Sequence, residues 1–488
     1  MKLQAEQIDE TVFCSAKPTY FMLLAGPSFF IFTLLSKPVF SGMNRGSWLI
    51  LGLTLWMAAW WISEAAPIPA TSLLPIVIVP LSGLDSISQA CAPYAHELIF
   101  LFLGGFLLSI AMEHWNLHQR IALLTMLAVG GKPSRQIGAI MLVTAFLSMW
   151  MSNTATAVMM LPIGLSIITG RQHDSGQSDD FARALMLAIA YAASIGGIAT
   201  LIGTPPNALL AAYLHSTYGI TVSFSKWLLF GLPLAAVMLL LCWFWLTRML
   251  YRVNRGPELA GRSLFQEKLC QLGKTRNGER MVLLVFCLAA SAWILRAPLA
   301  RLSGLPLSDS LIAVFAAVLL FVLPVELKSG RRIIGWDDCR KLPWGVLLLF
   351  GGGLSLATQI QKSGLAEYIA AQLSSLGHLN QALLILLVTT VIIFLTEITS
   401  NTATAAAFLP LLGPIGLALQ GSALFLTLPA AIAASCAFMM PVATPPNAII
   451  FASGRVAIRD MVKAGLLLNL ASIPLITLAS LYLGRLLP

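Results

Sequence analysis

The sequence predicts an all-α polytopic membrane protein, with about eleven transmembrane helices and two re-entrant hairpins arranged as inverted repeats. The first observation behind this is composition. Of 488 residues, 58% are hydrophobic and 10% are charged, and the mean hydropathy is +0.85. Soluble chains carry about a quarter charged residues, so most of this chain is expected to lie in a bilayer. The second observation is a series of long apolar runs, and the third is a pair of duplicated phrases.

The apolar runs define the elements in order. Runs of about 17–25 residues are interpreted as membrane spans. They fall near positions 20–35, 47–63, 66–82, 98–113, 183–215, 226–249, 281–297, 310–325, 343–361, 424–453 and 461–485. Two further apolar segments, 136–169 and 380–419, carry a polar phrase at their centres. A re-entrant hairpin with the phrase at its tip fits these segments better than a lone crossing helix, because its two helices shield each other.

These elements divide the chain into four segments. The predicted division is 1–46 for an N-terminal segment with the first span, 47–250 for the first repeat (hairpin 136–169, broken helix 183–215), 251–280 for a cytoplasmic basic loop, and 281–488 for the second repeat (hairpin 380–419, broken helix 424–453).

Two phrases occur once in each half. Ser152-Asn153-Thr154-Ala155-Thr156 returns as Ser400-Asn401-Thr402-Ala403-Thr404. Further along each half, Gly203-Thr204-Pro205-Pro206-Asn207-Ala208 returns as Ala443-Thr444-Pro445-Pro446-Asn447-Ala448. Two motifs that recur in the same order indicate an internal repeat. Each Pro-Pro pair removes backbone donors and breaks its helix. Interrupted backbone at membrane depth needs cover from protein or a water-filled cavity, so the four phrases are expected to converge on one internal site.

Loop charges orient the chain. The segment 251–280 holds seven Lys or Arg against three Glu, which places it in the cytoplasm. Counting spans outward from it puts the N-terminus inside and the C-terminus outside. The first hairpin then enters from the cytoplasm and the second from outside, so the repeats are inverted. Inverted repeats whose broken helices meet at the midplane are the architecture of secondary transporters.

The chemistry of the phrases suits small ions. They offer hydroxyls, amides, free carbonyls and helix N-termini, without Lys, Arg or His. Carbonyls at half-helix ends bind Na⁺, and helix N-termini bind anions. One cavity built from both can hold an anion beside cations that supply its positive charge. Glu397 is the charged residue set deepest in an apolar run of the sequence and is a functional candidate, although a structural role is favoured because its counterpart in the first repeat is the apolar Met149.

Other classes of function fit the sequence less well. The basic residues lie in short loops, as in membrane proteins, which argues against a nucleic-acid partner. The seven cysteines form no C-x-x-C pair, so neither a zinc site nor a disulfide framework is predicted. An intramembrane enzyme would need a nucleophile with a base, or a metal with acidic ligands, and no such group accompanies the phrases. A channel remains an alternative, but hairpins that enter from opposite sides suit alternating access better.

The paired SNT phrases, each followed by a Thr-Pro-Pro-Asn, resemble those of the divalent anion:sodium symporter family. The resemblance covers the chain from about residue 45 to the end. It implies a secondary transporter of the elevator type, a homodimer in the bacterial inner membrane, that imports dicarboxylates such as succinate, malate or fumarate with Na⁺ and needs no organic cofactor. A sodium-independent exchanger of di- or tricarboxylates and a sulfate-type symporter remain alternatives.

The resemblance also implies site residues. Those expected to hold Na⁺ are Ser148, Ser152, Asn153 and the backbone at Gly203 for one ion, and Thr396, Asn401, Thr402 and the backbone at Ala443 for the other. Those expected to meet the substrate are Ser152, Asn153, Thr154, Ser400, Asn401, Thr402, Thr204, Pro205, Thr444 and Pro445.

Overall fold

The computed structural model describes residues 20–129, 132–175, 179–251, 253, 261–326, 330–373 and 380–487. Within them the chain is mostly helical. Seven helices are long and apolar enough to cross a membrane, and six shorter apolar helices accompany them. The predicted class, a helical protein with many membrane spans, is confirmed at this level. Parts of all four predicted segments lie outside the described residues, at 1–19, 130–131, 176–178, 252, 254–260, 327–329, 374–379 and 488.

The first half of the chain contains twelve of the described helices. They are α1 (Tyr20–Leu35), α2 (Arg45–Ser63), α3 (Ile68–Thr71), α4 (Leu74–Leu81), α5 (Ile87–Cys91), α6 (Glu97–His114), α7 (Leu117–Val129), α8 (Pro133–Ser148), α9 (Asn153–Ser175), α10 (Asp179–Ile198), α11 (Pro205–Tyr218) and α12 (Phe224–Phe244). A 3₁₀ turn at Ala92–Ala95 precedes α6, and a π-helical turn at Trp245–Leu250 extends α12.

The second half continues the numbering. Its helices are α13 (Gly261–Leu272), α14 (Asn277–Ile294), α15 (Arg296–Ser303), α16 (Asp309–Val322), α17 (Trp344–Lys362), α18 (Leu365–Leu373), α19 (Gln381–Thr396), α20 (Asn401–Gln420), α21 (Leu424–Ala433), α22 (Pro445–Ala452) and α23 (Ile458–Tyr482). Short 3₁₀ turns lie at Trp336–Lys341 and Gly484–Leu486.

Two loops that the sequence analysis expects in the cytoplasm have more structure than the sequence predicted. A two-stranded antiparallel pair, β1 (Pro324–Glu326) with β2 (Arg331–Arg332), departs from the all-α prediction. It is anchored because the Trp115 indole donates to the carbonyl of Ile333 at 2.8 Å. The basic loop contains α13, which packs against α7.

Glycine and proline mark the interruption of each broken helix. Helix α10 ends directly after Gly196 and Gly197, and α11 begins at Pro205. Proline suits the first positions of a helix, where the backbone N–H would have no intrahelical partner. In the second half α21 ends at Ala433 and α22 begins at Pro445. Each interruption therefore leaves a non-helical stretch before a Thr-Pro-Pro-Asn phrase.

The two halves pack in matching ways around a buried centre. Helix α10 is 94% buried, whereas α14 is only 33% buried and presents apolar side chains outward. Helix α8 contacts α10, as α19 contacts α21. Across the halves, α9 contacts α22 and α20 contacts α11. The helix that follows each SNT phrase thus packs against the helix that follows the other half's Pro-Pro break.

Candidate functional site

The turn between α8 and α9 gathers oxygen atoms. The Ser148 hydroxyl lies 2.7 Å from Asn153 Oδ1 and 2.6 Å from the carbonyl oxygen of Ala193. A single hydroxyl proton can serve only one of these contacts at a time. Turning the Asn153 amide over would place its nitrogen 3.1 Å from Ala193 O and 3.3 Å from Gly203 O. The same end of the amide therefore faces a hydroxyl and two carbonyls, and the structure brings Ser148, Asn153 and Gly203 together.

The first break is held tightly against this turn. A Cβ at Gly197 would lie 2.6 Å from Asn153 Oδ1 and 3.1 Å from Gly203 O, so a larger residue there would displace the Asn153 amide or the break. The Asn207 side chain donates to Gly197 O at 3.2 Å and to Thr200 O at 2.8 Å. These carbonyls follow the last full turn of α10 and have no helical partner. The asparagine of the Thr-Pro-Pro-Asn phrase thus fixes the shape of the break.

The second half repeats the arrangement. The Thr396 hydroxyl lies 2.9 Å from Asn401 Oδ1 and 3.0 Å from Ala434 O. The Asn447 side chain donates to Ala437 O at 3.2 Å and to Met440 O at 3.0 Å. Each half therefore contains a hydroxyl, an amide oxygen and a carbonyl in mutual contact, beside a break that an asparagine holds. In the second cluster one hydroxyl proton faces two acceptors, whereas in the first cluster the turned Asn153 amide would supply donors for the carbonyls.

Glu397 contacts the second break, and the first half has no corresponding carboxylate. Its side chain is 3% exposed. The carboxylate accepts from the backbone N–H groups of Phe438 at 2.7 Å, Met439 at 2.9 Å and Met440 at 2.9 Å. The Asn469 amide adds a fourth hydrogen bond at 2.6 Å. The carboxylate is thus occupied by protein donors, which supports the structural role that the sequence favoured over direct cation binding.

All four phrases lie at helix N-termini. Helices α9, α11, α20 and α22 begin at Asn153, Pro205, Asn401 and Pro445. Helices α11 and α20 line a narrow apolar cleft with Leu209 and Ala406 about one turn from their starts, and with Tyr213 and Pro410 one turn further. The two helices contact each other, and each begins at one of the duplicated phrases. A helix N-terminus carries about half a positive charge, so the arrangement favours an anion there.

The predicted residues differ in exposure. Thr204 and Thr444 are 2% and 3% exposed. Those that are half-buried are Ser152, Asn153, Pro205, Ser400, Asn401 and Thr402, while Thr154 and Pro445 are exposed. The Ser152 hydroxyl accepts from Ala155 N at 3.2 Å, as a helix cap does. Within the described residues, no hydrogen bond joins Ser152 or Ala443 to the oxygen clusters.

The sequence analysis did not predict that the backbone carbonyls of Ala193 and Ala434 belong to the oxygen clusters. Each is followed by a fully buried serine, Ser194 and Ser435. Among the residues that the structure describes, neither serine hydroxyl has a hydrogen-bond partner. An Ala-Ala-Ser tripeptide precedes both breaks. This third duplicated phrase is the signal that could have identified the carbonyls.

The fold resembles that of solved membrane transporters. One is the YdaH transporter of Alcanivorax borkumensis, with a TM-score of 0.57 at 14% identity, over 91% of this chain and 100% of that chain. Another is MtrF of Neisseria gonorrhoeae, with a TM-score of 0.55 at 14% identity, over 96% of this chain and 95% of that chain. At this identity the likeness concerns the fold alone. The fold and the duplicated, interrupted helices define an integral membrane protein of transporter architecture.

The family is shown by sequence. The family model described as the sodium:sulfate symporter transmembrane region matches residues 19–487, and the chain belongs to this family. It is 43% identical over 470 residues to the sodium-dependent dicarboxylate transporter SdcS of Staphylococcus saprophyticus, covering 94% of this chain and 90% of that protein. It is 44% identical, with the same coverage, to SdcS of Staphylococcus aureus strain MSSA476. The predicted divalent anion:sodium symporter family is confirmed.

Proposed function

We propose that this protein imports dicarboxylates of the succinate, malate and fumarate class across the bacterial cytoplasmic membrane by symport with Na⁺. The observation that carries the proposal is the pair of oxygen clusters, at Asn153 and at Asn401. In each, a hydroxyl, a side-chain amide and one or two main-chain carbonyl oxygens converge within hydrogen-bond distance. With the amide oxygen turned inward, hydroxyl, amide and carbonyl oxygens would surround one point, and Na⁺ takes oxygen ligands of this kind.

The sodium ligands follow from these clusters. The first ion would be held by Ser148, Asn153 and Gly203, with Ala193 as an added ligand, and the second by Thr396 and Asn401, with Ala434 added. Ser152, Thr402 and the backbone at Ala443 complete the proposed sets. Na⁺ is cargo here, and its charge replaces the lysine or arginine that an anion site otherwise uses.

The substrate would lie between the clusters. A dicarboxylate has two anionic ends, and the two halves offer two sets of helix N-termini with hydroxyl and amide donors. Backbone N–H groups at such termini bind carboxylates. The proposed contacts are Ser152, Asn153, Thr154, Thr204 and Pro205 for one half, and Ser400, Asn401, Thr402, Thr444 and Pro445 for the other. The SdcS relatives are sodium-dependent dicarboxylate transporters by name, which supports this substrate class and its dependence on sodium.

The architecture is part of the same proposal. We infer about eleven spans, with 136–169 and 380–419 as re-entrant hairpins that enter from opposite sides. The repeats would be 47–250 and 281–488, and the N-terminus would be cytoplasmic and the C-terminus external. The protein would form a homodimer, and each protomer would transport by an elevator motion. Each hairpin contacts helices of its own half and of the other half. These contacts support a transport unit in which both hairpins move together as one body.

Uptake into proteoliposomes tests the function. Labelled succinate should accumulate when Na⁺ is high outside and should not when K⁺ replaces it, because Na⁺ is the proposed co-transported cation. Unlabelled malate and fumarate should compete, and sulfate should not. Equal uptake without Na⁺, driven only by a dicarboxylate inside, would favour an exchanger. Competition by sulfate alone would favour the sulfate-type symporter.

Cysteine labelling tests the inverted topology. In a background without the seven native cysteines, Gln381→Cys at the start of α19 should react with an impermeant thiol reagent added to intact cells. Gln271→Cys in α13 should react only after the membrane is opened, because the basic loop is expected inside. Both side chains are exposed, so they form a matched pair. Labelling of position 271 from outside would overturn the assignment.

A further inference from the structure

Besides the contacts within the oxygen clusters, one further side chain in each half ties the hairpin to its break, and the two halves supply it from opposite partners. Counted from the SNT phrases, Met149 corresponds to Glu397, and counted from the Thr-Pro-Pro-Asn phrases, Thr200 corresponds to Met440. In the second half the hairpin supplies the side chain, since Glu397 accepts from the backbone of Met440 at 2.9 Å. In the first half the break supplies it, since the Thr200 hydroxyl donates to the backbone of Met149 at 2.5 Å.

The Thr200 hydroxyl makes a second contact that reaches the cation cluster. It accepts from the backbone N–H of Gly203 at 3.0 Å. Gly203 is the residue whose carbonyl faces Asn153, and Met149 follows Ser148 directly. One buried hydroxyl, on a residue with no exposed surface, therefore bridges the two chain segments that carry the oxygens of the first cluster.

These contacts are not those of an ordinary buried threonine. In a helix, a threonine hydroxyl usually bonds the carbonyl four residues earlier. Thr427 does this, and its hydroxyl donates to Ala423 O at 2.7 Å. Thr200 lies past the end of α10 and instead reaches a residue 51 positions away. Its own backbone carbonyl is held separately by Asn207, so loss of the hydroxyl would leave the main-chain anchor in place.

We propose that Thr200 is a positioning residue for the first Na⁺ site, the counterpart in the first repeat of Glu397 in the second. It does not touch the ion. Its hydroxyl sets the distance between the Ser148–Asn153 turn and the Gly203 peptide, and so keeps their oxygens within reach of one cation. This inference rests on the proposed sodium symport and assigns a residue of that same site.

The test is a set of conservative variants measured for sodium dependence. Thr200→Val keeps the shape and loses the hydroxyl, so the Na⁺ concentration for half-maximal succinate uptake should rise about tenfold, as expected for two lost hydrogen bonds. The maximal rate at saturating Na⁺ and succinate should change little. Thr200→Ser restores the hydroxyl and should return sodium dependence to near that of the wild type. Thr427→Val removes a buried hydroxyl elsewhere and should leave sodium dependence unchanged.

A second readout separates positioning from stability. Sodium alone should raise the thermal unfolding temperature of the purified wild type and of Thr200→Ser, and Thr200→Val should need about tenfold more Na⁺ for the same rise. An unchanged sodium dependence, or a lower maximal rate alone, would overturn the proposal. If Thr200→Val and Thr200→Ala both fail to fold while Thr200→Ser folds, the hydroxyl serves stability and the proposal also fails. Wild-type uptake without sodium dependence would instead overturn the proposed function itself.

Discussion

Glu397→Ala is expected to lower sodium-driven succinate uptake by at least about a hundredfold, the largest loss from any single side chain outside the duplicated phrases. The carboxylate accepts four hydrogen bonds, three of them from successive backbone N–H groups of the second break. A hydrogen bond to a charged group contributes about 1.5–3 kcal/mol. Without it the break has no acceptor for these donors, and the oxygens of the second cluster lose their fixed positions. Uptake into proteoliposomes at a range of Na⁺ concentrations measures the effect.

Three further variants test whether the hydrogen bonds of the Glu397 carboxylate cause this loss of uptake. In Glu397→Gln one oxygen still accepts hydrogen bonds, but the NH₂ group of the new amide points at N–H donors that the carboxylate accepted from. An intermediate loss of uptake is therefore expected. Asn469→Ala removes one of the four hydrogen bonds and should be milder. Glu267→Ala removes an exposed carboxylate on α13 and serves as the control. If Glu397→Ala folds, as judged by gel filtration in detergent, and keeps wild-type sodium and succinate dependence, then Glu397 does not hold the second site.

The parts of the fold that the sequence predicted are those with a local cause. Apolar length indicates membrane helices, and Pro205 and Pro445 each begin a helix because proline cannot continue the one before. The duplicated phrases indicated where the candidate site lies. Helix ends could be predicted only to within a few residues, since fraying and capping depend on neighbours.

The parts that the sequence did not predict depend on contacts between distant segments. Nothing local to Glu397 indicates that its acceptors face Phe438–Met440, more than forty positions away. The contacts of the Thr200 hydroxyl could not be predicted either, because a buried threonine hydroxyl most often bonds a carbonyl of its own helix. The short strand pair near residue 331 forms because Trp115, from another element, provides an anchor.

Asn153→Ala and Asn401→Ala are expected to weaken binding of Na⁺ and dicarboxylate together. Each asparagine amide lies in a cluster with a hydroxyl and a carbonyl, and each residue is also the first of a helix that begins at the proposed substrate site. Loss of a hydrogen bond to a charged group costs about 1.5–3 kcal/mol, which is roughly a tenfold to hundredfold loss of affinity. Linkage requires that a change in sodium affinity reappears in the apparent affinity for the anion. Uptake measured over a grid of Na⁺ and succinate concentrations reports both.

The threonines two positions beyond each phrase provide graded controls. Thr156 is buried, and its hydroxyl has no partner among the residues that the structure describes, so Thr156→Ala should be mild. Thr404 contacts Thr399 Oγ1 at 2.6 Å and donates to Ser400 O at 3.0 Å, so Thr404→Ala should be stronger than Thr156→Ala and weaker than Asn401→Ala. Gel filtration checks that every variant folds. If both asparagine variants transport with unchanged dependence on sodium and succinate, the duplicated phrases act only as helix caps, and the binding site lies elsewhere.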